Sequence, residues 1–183
     1  DVRDMFLNEA RKMAKVEDRQ VVRVYDVLLE NGVPTLVQEF MGGGSLAAHI
    51  GASRMGVPEL LNLLMRILYG LKAIHKAELI HRDMKPDNIL RNDKGEWKVA
   101  DFGVAMRGDE ETLPFAPNKY AAPEVLNAPE TISVRSDLYS VGIMAIELLL
   151  GSQTFEEEAR NAVEEIYGYS RGGKDSSSTF WQR

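Results

Sequence analysis

His81-Arg82-Asp83-Met84-Lys85-Pro86-Asp87-Asn88, followed after a short interval by Asp101-Phe102-Gly103, is the stretch that decides how this 183-residue chain is interpreted. We call residues 81–88 the central loop. The two segments bring together carboxylates, an amide, an ammonium and a guanidinium, with no plausible nucleophile and no soft metal-ligand set. Such a group suits a reaction in which charge is positioned and neutralised and the protein forms few covalent bonds. Phosphoryl transfer is a reaction of this kind.

The composition is that of one ordinary globular domain, with 44% hydrophobic and 27% charged residues. With a net charge of −6, nothing in the composition indicates a nucleic-acid or anionic-membrane surface, which needs clustered Lys and Arg. The absence of cysteine excludes disulfides, thiolate catalysis and cysteine-bound zinc. The longest apolar run, 141–150, is too short for a membrane span and contains Glu147. We expect a cytoplasmic protein and a piece of a longer chain, whose other parts could still carry a membrane anchor.

Hydrophobic periodicity and turn residues predict the elements before residue 50. They are a helix from Asp4 to Lys15 and two strands, 21–28 and 34–40, joined by a turn at Asn31-Gly32. The glycine cluster 42–44 invites a phosphate-loop interpretation but lacks the Gly-Lys-Ser/Thr ending. We favour a flexible connector, with Ser45 as the cap of a short helix.

The rest of the chain is predicted to be helix-rich, so the fold class is α+β with a division near residue 41. Pro58 opens a long helix whose apolar stripe is Leu60, Leu64, Ile67, Leu68, Leu71 and Ile74. Residues 136–150 form a second apolar helix, ended by Gly151 and buried on nearly all sides. The remaining predicted elements are a hairpin with its turn at 93–96, a loop at 104–119, a charged helix at 155–167 and a polar segment at 170–179.

The chemistry of the central loop assigns roles to four side chains. Asp83 is the candidate that orients an attacking hydroxyl and accepts its proton. Lys85 is a compact cation that meets charge on a phosphate. Asn88 and Asp101 each offer one oxygen to magnesium, a hard ion that prefers oxygen ligands. Taken singly, such residues in a loop are more often solvated or capping, and only their joint spacing favours the functional interpretation.

The order His81-Arg82-Asp83-x-Lys85-x-x-Asn88, Asp101-Phe102-Gly103 and then Ala122-Pro123-Glu124 resembles the motif set of eukaryotic-type protein kinases. The resemblance covers nearly the whole chain. It implies a bilobal, protein-kinase-like α+β fold, with residues 1–40 as a partial N-lobe and residues 41–183 as a C-lobe that is incomplete at its C-terminus. It also implies ATP and Mg2+ as ligands and a protein as substrate.

The same resemblance implies further site residues. Glu39-Phe40-Met41 would be the hinge at adenine, Gln38 the gatekeeper before it, and Leu90 the floor of that site. Glu9 would pair with a strand lysine, although the helix alone favours a solvated charge there. The residues with implied structural roles are His81 and Phe102, which would stack with Met13 and Val24, together with Gly103, Glu124 and Asp137, the last holding the backbone of the central loop.

The chain departs from the family pattern in ways that bear on activity. The lysine partner of Glu9, the glycine-rich loop and the arginine partner of Glu124 are not in this sequence. We therefore expect residues 1–183 alone to bind ATP weakly and to phosphorylate little, with Glu124 left uncompensated. Pro117 stands where the family has threonine, and residues 117–120 are somewhat similar to the tyrosine-kinase substrate loop. Lys85 is typical of serine/threonine kinases, so Ser/Thr specificity is the first hypothesis and tyrosine or dual specificity the second.

The sequence also bears on how activity is regulated and on which other functions the chain could have. Arg82 precedes Asp83, an arrangement that suits docking of a phosphate on Thr112. The acidic run 109–111 could instead act constitutively or be merely solvated. Two other functions stay open, a pseudokinase or scaffold that only binds, and a small-molecule phosphotransferase. The amino-acid sequences of segments 6–11 and 42–46 are similar to those of bacterial serine/threonine kinases.

Overall fold

The computed structural model describes residues 12–30, 33–50, 54–101, 119–127 and 129–167. Four strands and five helices follow one another in this part of the chain. They are β1 (Val24–Glu30), β2 (Val33–Gln38), α1 (Leu46–His49), α2 (Val57–Lys76), β3 (Ile89–Arg91), β4 (Trp97–Val99), α3 (Pro123–Asn127), α4 (Val134–Leu150) and α5 (Ser152–Tyr167). Of the helix predicted at 4–15, residues 12–15 lie within the described part of the chain; 12–14 are helical and Lys15 is in a turn.

The first two strands form an antiparallel hairpin, with Val27 opposite Leu36. This confirms the predicted pair of strands, although the turn at 31–32 lies outside the described residues. β1 begins three residues later than predicted because Val21 forms an isolated parallel bridge with Val99 instead. The Val22 N–H donates to the Val99 carbonyl at 2.8 Å. The segment before β1 is therefore tied to β4.

The core lies against α2, which begins one residue before Pro58. Its buried face consists of Leu60, Leu63, Ile67, Gly70, Leu71 and Ile74. Leu68 is 40% exposed, so its place in the predicted stripe was wrong. Successive helical positions are about 100° apart, and with Ile67 at the centre of the buried face Leu68 turns towards its edge. The buried stripe of α2 therefore includes Leu63 and Gly70 in place of Leu68.

Gly70 marks where α2 approaches its neighbours most closely. A Cβ added there would lie 2.8 Å from the Gln20 carbonyl oxygen and 2.9 Å from a methyl of Val99. Both distances are shorter than packed side chains tolerate. Glycine at this position lets α2 pack directly on the segment that joins the two sheets.

α4 starts in a capping box, in which Ser133 and Ser136 bond each other's backbone, and it ends at Gly151 with φ 81°. The prediction that it is buried on nearly all sides was wrong, because Leu138, Ile146 and Leu149 are 47%, 46% and 40% exposed. Among the described helices, none alone is long and apolar enough to cross a membrane. Only α4 together with 152–159 reaches that length, across a bend of 114°.

The second sheet is the antiparallel pair β3 and β4, with Ile89 opposite Val99. It confirms the hairpin predicted around residues 93–96, and Gly95 takes a positive φ of 80° in that turn. Two small sheets beside a helical body make the fold α+β, as predicted. Buried residues from both sides of residue 41 belong to one hydrophobic cluster, and the division into two lobes there stays a prediction.

Candidate active site

Asp137, near the start of α4, holds the backbone of the central loop. Its carboxylate oxygens accept hydrogen bonds from the N–H groups of His81 and Arg82, each at 2.9 Å. The imidazole Nε2 of His75 lies 2.7 Å from the same carboxylate, which is 1% exposed. His75 thus adds a third hydrogen-bonding partner to the buried Asp137 carboxylate. Arg82 has a positive φ of 67°, and these bonds offset the cost of that conformation.

His81 is buried and holds the loop from the other side. Its Nε2 lies 2.8 Å from the Ala100 carbonyl oxygen, so Nε2 carries a hydrogen. The N–H of Asp83 points at Nδ1 from 3.4 Å, so Nδ1 accepts. Burial lowers the pKa of His81, and the nearby Asp137 carboxylate opposes that shift only in part. A neutral imidazole therefore links the central loop to the end of β4.

Asp83, Lys85 and Asn88 form a compact polar cluster. The Lys85 ammonium lies 2.7 Å from an Asp83 carboxylate oxygen. The Asn88 amide nitrogen donates to the Asp83 carbonyl at 2.7 Å and to its carboxylate at 3.2 Å. Asp83 and Asn88 are both buried, at 8% and 5% exposed. The cluster can orient a hydroxyl and accept its proton beside a cation.

The antiparallel register brings Asp101 towards this cluster. The N–H of Ala100 donates to the Asn88 carbonyl at 2.8 Å, which places Asn88 and Asp101 at neighbouring positions of the same sheet end. Asp101 is exposed and has a positive φ of 52°. No group of three or more His, Asp or Glu side chains converges on one point in the described part of the chain. Asn88 and Asp101 offer an amide and a carboxylate oxygen, which are ligand types that Mg2+ prefers, and their joint binding of magnesium stays a prediction.

The segment predicted to contact adenine leaves β2 at Gln38. The backbone N–H of Glu39 donates to the Arg23 carbonyl at 2.8 Å, so the segment runs beside the start of β1. Gln38 is exposed, whereas Met41 and Leu90 are half-buried. Ser45 forms an isolated antiparallel bridge with Leu90 and so brings the glycine-rich connector against β3. Ser45 stands at the N-cap position of α1, as predicted, but its side chain makes no capping hydrogen bond.

Glu39 also makes a contact that sequence reasoning missed. The Lys98 ammonium lies 2.7 and 2.8 Å from the two Glu39 carboxylate oxygens, and the side chains are 13% and 21% exposed. This ion pair joins the end of β2 to β4, three residues before Asp101. The only feature of the sequence that could have indicated this ion pair was a lone lysine in a short strand, beside the buried Val99.

Glu124 is tied to the start of α4. The Ser136 hydroxyl donates to its carboxylate at 2.7 Å, and this hydrogen bond lowers the pKa of Glu124. The hydroxyl supplies a hydrogen bond but no positive charge, so the expectation that Glu124 lacks its cationic partner stays a prediction. The other predicted site residues lie outside the described residues. They are Glu9, Phe102, Gly103 and Thr112.

Comparison with known proteins agrees with this geometry. The family described as "Protein kinase domain" matches residues 1–181. A probable serine/threonine-protein kinase pknA2 of Bifidobacterium longum is 36% identical over 161 residues, which are 85% of this chain and 21% of that protein. The serine/threonine-protein kinase PknL of Mycobacterium tuberculosis is 36% identical over 82% of this chain and 39% of its own length. PrkC of Bacillus subtilis, also named a serine/threonine-protein kinase, is 30% identical over 84% of this chain and 24% of its own length.

These relatives are all named serine/threonine kinases, and this chain spans well under half of the length of each. The matched region includes the central loop, its anchor on α4 and the sheet end that carries Asp101. Motifs, fold and comparison agree, and the chain belongs to the protein kinase family.

Proposed function

We propose that this chain is catalytic-domain sequence of a protein kinase that transfers the γ-phosphoryl group of ATP to serine or threonine hydroxyls. The observation that carries the proposal is the cluster of Asp83, Lys85 and Asn88 beside Asp101. Protein kinases as a family use ATP and Mg2+, and a protein as phosphate acceptor. For this chain, ATP, Mg2+ and a protein substrate are part of the proposal.

Each side chain of the cluster has a proposed task. Asp83 accepts a hydrogen bond from the substrate hydroxyl, aims its oxygen at the phosphorus and takes up its proton. Lys85, already beside Asp83, places its positive charge where negative charge grows during transfer. Asn88 fixes the Asp83 carboxylate through its amide nitrogen and offers its amide oxygen to the metal. Bound magnesium would neutralise the phosphate oxygens.

Specificity for serine and threonine is supported by Lys85 and by the names of the relatives. Pro117 and the likeness of 117–120 to a tyrosine-kinase loop keep tyrosine or dual specificity as the second candidate. We also propose that a phosphate on Thr112 docks on Arg82 and that the protein is cytoplasmic.

The test uses the protein in its natural sequence context, assayed with radiolabelled ATP and a protein substrate. We expect Asp83→Asn to lower kcat at least about 100-fold, because the general base is removed. Asp93→Asn, on an exposed turn, is the matched control and should keep full activity. Wild-type activity that Asp83→Asn leaves intact would refute the proposed base.

Phosphoamino-acid analysis of the products tests specificity. Phosphoserine and phosphothreonine are expected, and phosphotyrosine alone would exclude the first hypothesis. A protein that binds ATP without any transfer would favour the pseudokinase alternative. The chain 1–183 by itself is expected to bind ATP weakly, which isothermal titration calorimetry with Mg·ATP measures directly.

A further inference from the structure

The ion pair of Glu39 and Lys98 lies between the two parts of the proposed nucleotide site. Glu39 begins the segment 39–41, which is predicted to contact adenine. Lys98 stands three residues before Asp101, the predicted magnesium ligand. In the antiparallel register Lys98 is also opposite Leu90, the predicted floor of the adenine site. The pair therefore joins the adenine part of the proposed site to its phosphate part.

The Glu39 end of this link is fixed by several bonds. The two carboxylate oxygens lie 2.7 and 2.8 Å from the same Lys98 ammonium. One of these oxygens also accepts a hydrogen bond from the backbone N–H of Arg23 at 3.3 Å. The backbone N–H of Glu39 donates in turn to the Arg23 carbonyl at 2.8 Å. Glu39 is thus held by β4 on one side and by the residue that precedes β1 on the other.

The Lys98 end of the link is fixed by its strand. The next two residues, Val99 and Ala100, have no exposed surface. The N–H of Ala100 donates to the Asn88 carbonyl at 2.8 Å, and Asp101 follows directly. The backbone of Lys98 therefore has a set position relative to Asp101 and to the end of the central loop.

The burial of the pair makes it suitable for setting a distance. The two side chains are 13% and 21% exposed, so water and salt screen their attraction less than at the surface. Because both oxygens of the carboxylate contact one ammonium, the carboxylate has little freedom to turn away.

We propose that Glu39 and Lys98 are positioning residues of the nucleotide site, whose ion pair holds the segment 39–41 at a fixed separation from Asp101. A nucleotide contacts both parts at once, adenine at one and the magnesium-bound phosphates at the other. When the separation already matches the ligand, less ordering of the protein opposes binding. The inference rests on the proposed kinase function, because only a ligand with both halves makes use of this separation.

The first experiment measures the Kd of Mg·ATP and of adenosine by isothermal titration calorimetry, with the protein in its natural sequence context. Lys98→Met and Glu39→Gln should each raise the Kd of Mg·ATP about tenfold. The Kd of adenosine should change by less than about twofold, since adenosine lacks the phosphates that reach Asp101. Lys98→Arg keeps the charge and can bond both Glu39 oxygens, so its Kd for Mg·ATP should stay within about threefold of the wild-type value.

The control is a neighbouring ion pair that is exposed. Arg23 and Glu17 have side chains 58% and 70% exposed, and Arg23→Met should change neither Kd. An equal loss of Mg·ATP affinity in Arg23→Met and Lys98→Met would overturn the proposal, because any change of charge near β1 would then suffice.

The double variant Lys98→Met/Glu39→Gln separates positioning from stability. It leaves neither half-buried charge without a partner, so it should fold even where a single variant does not. The link is nevertheless absent, and the Kd of Mg·ATP should rise as much as in the single variants. A wild-type Kd in the double variant would show that the pair only stabilises the fold, and the positioning role would be lost.

Steady-state kinetics provides the second experiment. Lys98→Met should raise KM for ATP about tenfold while kcat at saturating ATP stays within about threefold, since the cluster at Asp83 is unchanged. A fall in kcat with unchanged KM, or equal losses of affinity for adenosine and Mg·ATP, overturns the proposal. A wild-type protein that binds Mg·ATP without transferring phosphate overturns the proposed function, while the calorimetry still decides the positioning role. A wild-type protein that does not bind Mg·ATP overturns both.

Discussion

The ion pair between Glu39 and Lys98 gives a prediction whose magnitude follows from its burial. Exposed pairs contribute about 0.2–1 kcal/mol, and hydrogen bonds to charged groups about 1.5–3 kcal/mol. With side chains 13% and 21% exposed and contacts of 2.7 and 2.8 Å, this pair lies between the two classes. We expect a coupling energy of about 1–2 kcal/mol between the two side chains.

The assay is a double-mutant cycle of Lys98→Met, Glu39→Gln and the double variant, each unfolded in urea. The free energies of unfolding lost in the two single variants should sum to more than the loss in the double variant. Each single variant leaves one half-buried charge without its partner, whereas the double variant leaves none. The coupling should persist at high salt, since buried pairs are screened less than exposed ones. The pair therefore stabilises the junction of β2 with β4.

A second pair in the same region provides the control. Arg23 and Glu17 are 2.9 Å apart, nearly as close, but their side chains are 58% and 70% exposed. A cycle of Arg23→Met and Glu17→Gln should give a coupling of at most about 0.5 kcal/mol, and less in salt. If Glu39 and Lys98 prove additive within about 0.3 kcal/mol, or if both cycles give the same coupling, the reasoning from burial is refuted.

Two further predictions concern packing and protonation. Gly70→Ala should destabilise the chain by about 1–3 kcal/mol, since the new methyl meets Gln20 and Val99. The control is Gly142→Ala, in a helix with nothing within 4 Å of the added methyl, which should be neutral or stabilise by up to about 1 kcal/mol. Equal effects of the two substitutions in urea unfolding would contradict the close packing at Gly70. Burial lowers the pKa of His81 below 6.5, so the unfolded chain binds the extra proton first as the pH falls. Stability should therefore be lost below about pH 6.5, at up to about 1.4 kcal/mol per pH unit, and His81→Phe should remove that part of the slope in urea titrations at several pH values. If the wild type and His81→Phe lose stability with the same slope against pH, His81 is not buried in its neutral form.

Much of the fold could be predicted because it depends on local pattern. The apolar period of 60–74 specified α2, and the turn residues around Gly95 specified the β3–β4 hairpin. Errors arose where burial depends on distant neighbours. Leu68 and the outer face of α4 are as apolar as the buried face, and only the packing of other elements determines which residues are covered.

The sequence by itself determined the family and the side chains available for catalysis. Both are recognised from the order and spacing of Asp83, Lys85, Asn88 and Asp101 along the chain. Only the tertiary structure decided which charges are paired. Glu39 meets Lys98 from 59 residues away, and Lys119 meets Glu147 from 28 residues away. Such pairs depend on how the elements pack against one another, and no local pattern of residues encodes that. For the same reason, the cluster at Asp83 could be predicted from the sequence, whereas the pair of Lys119 and Glu147 could not.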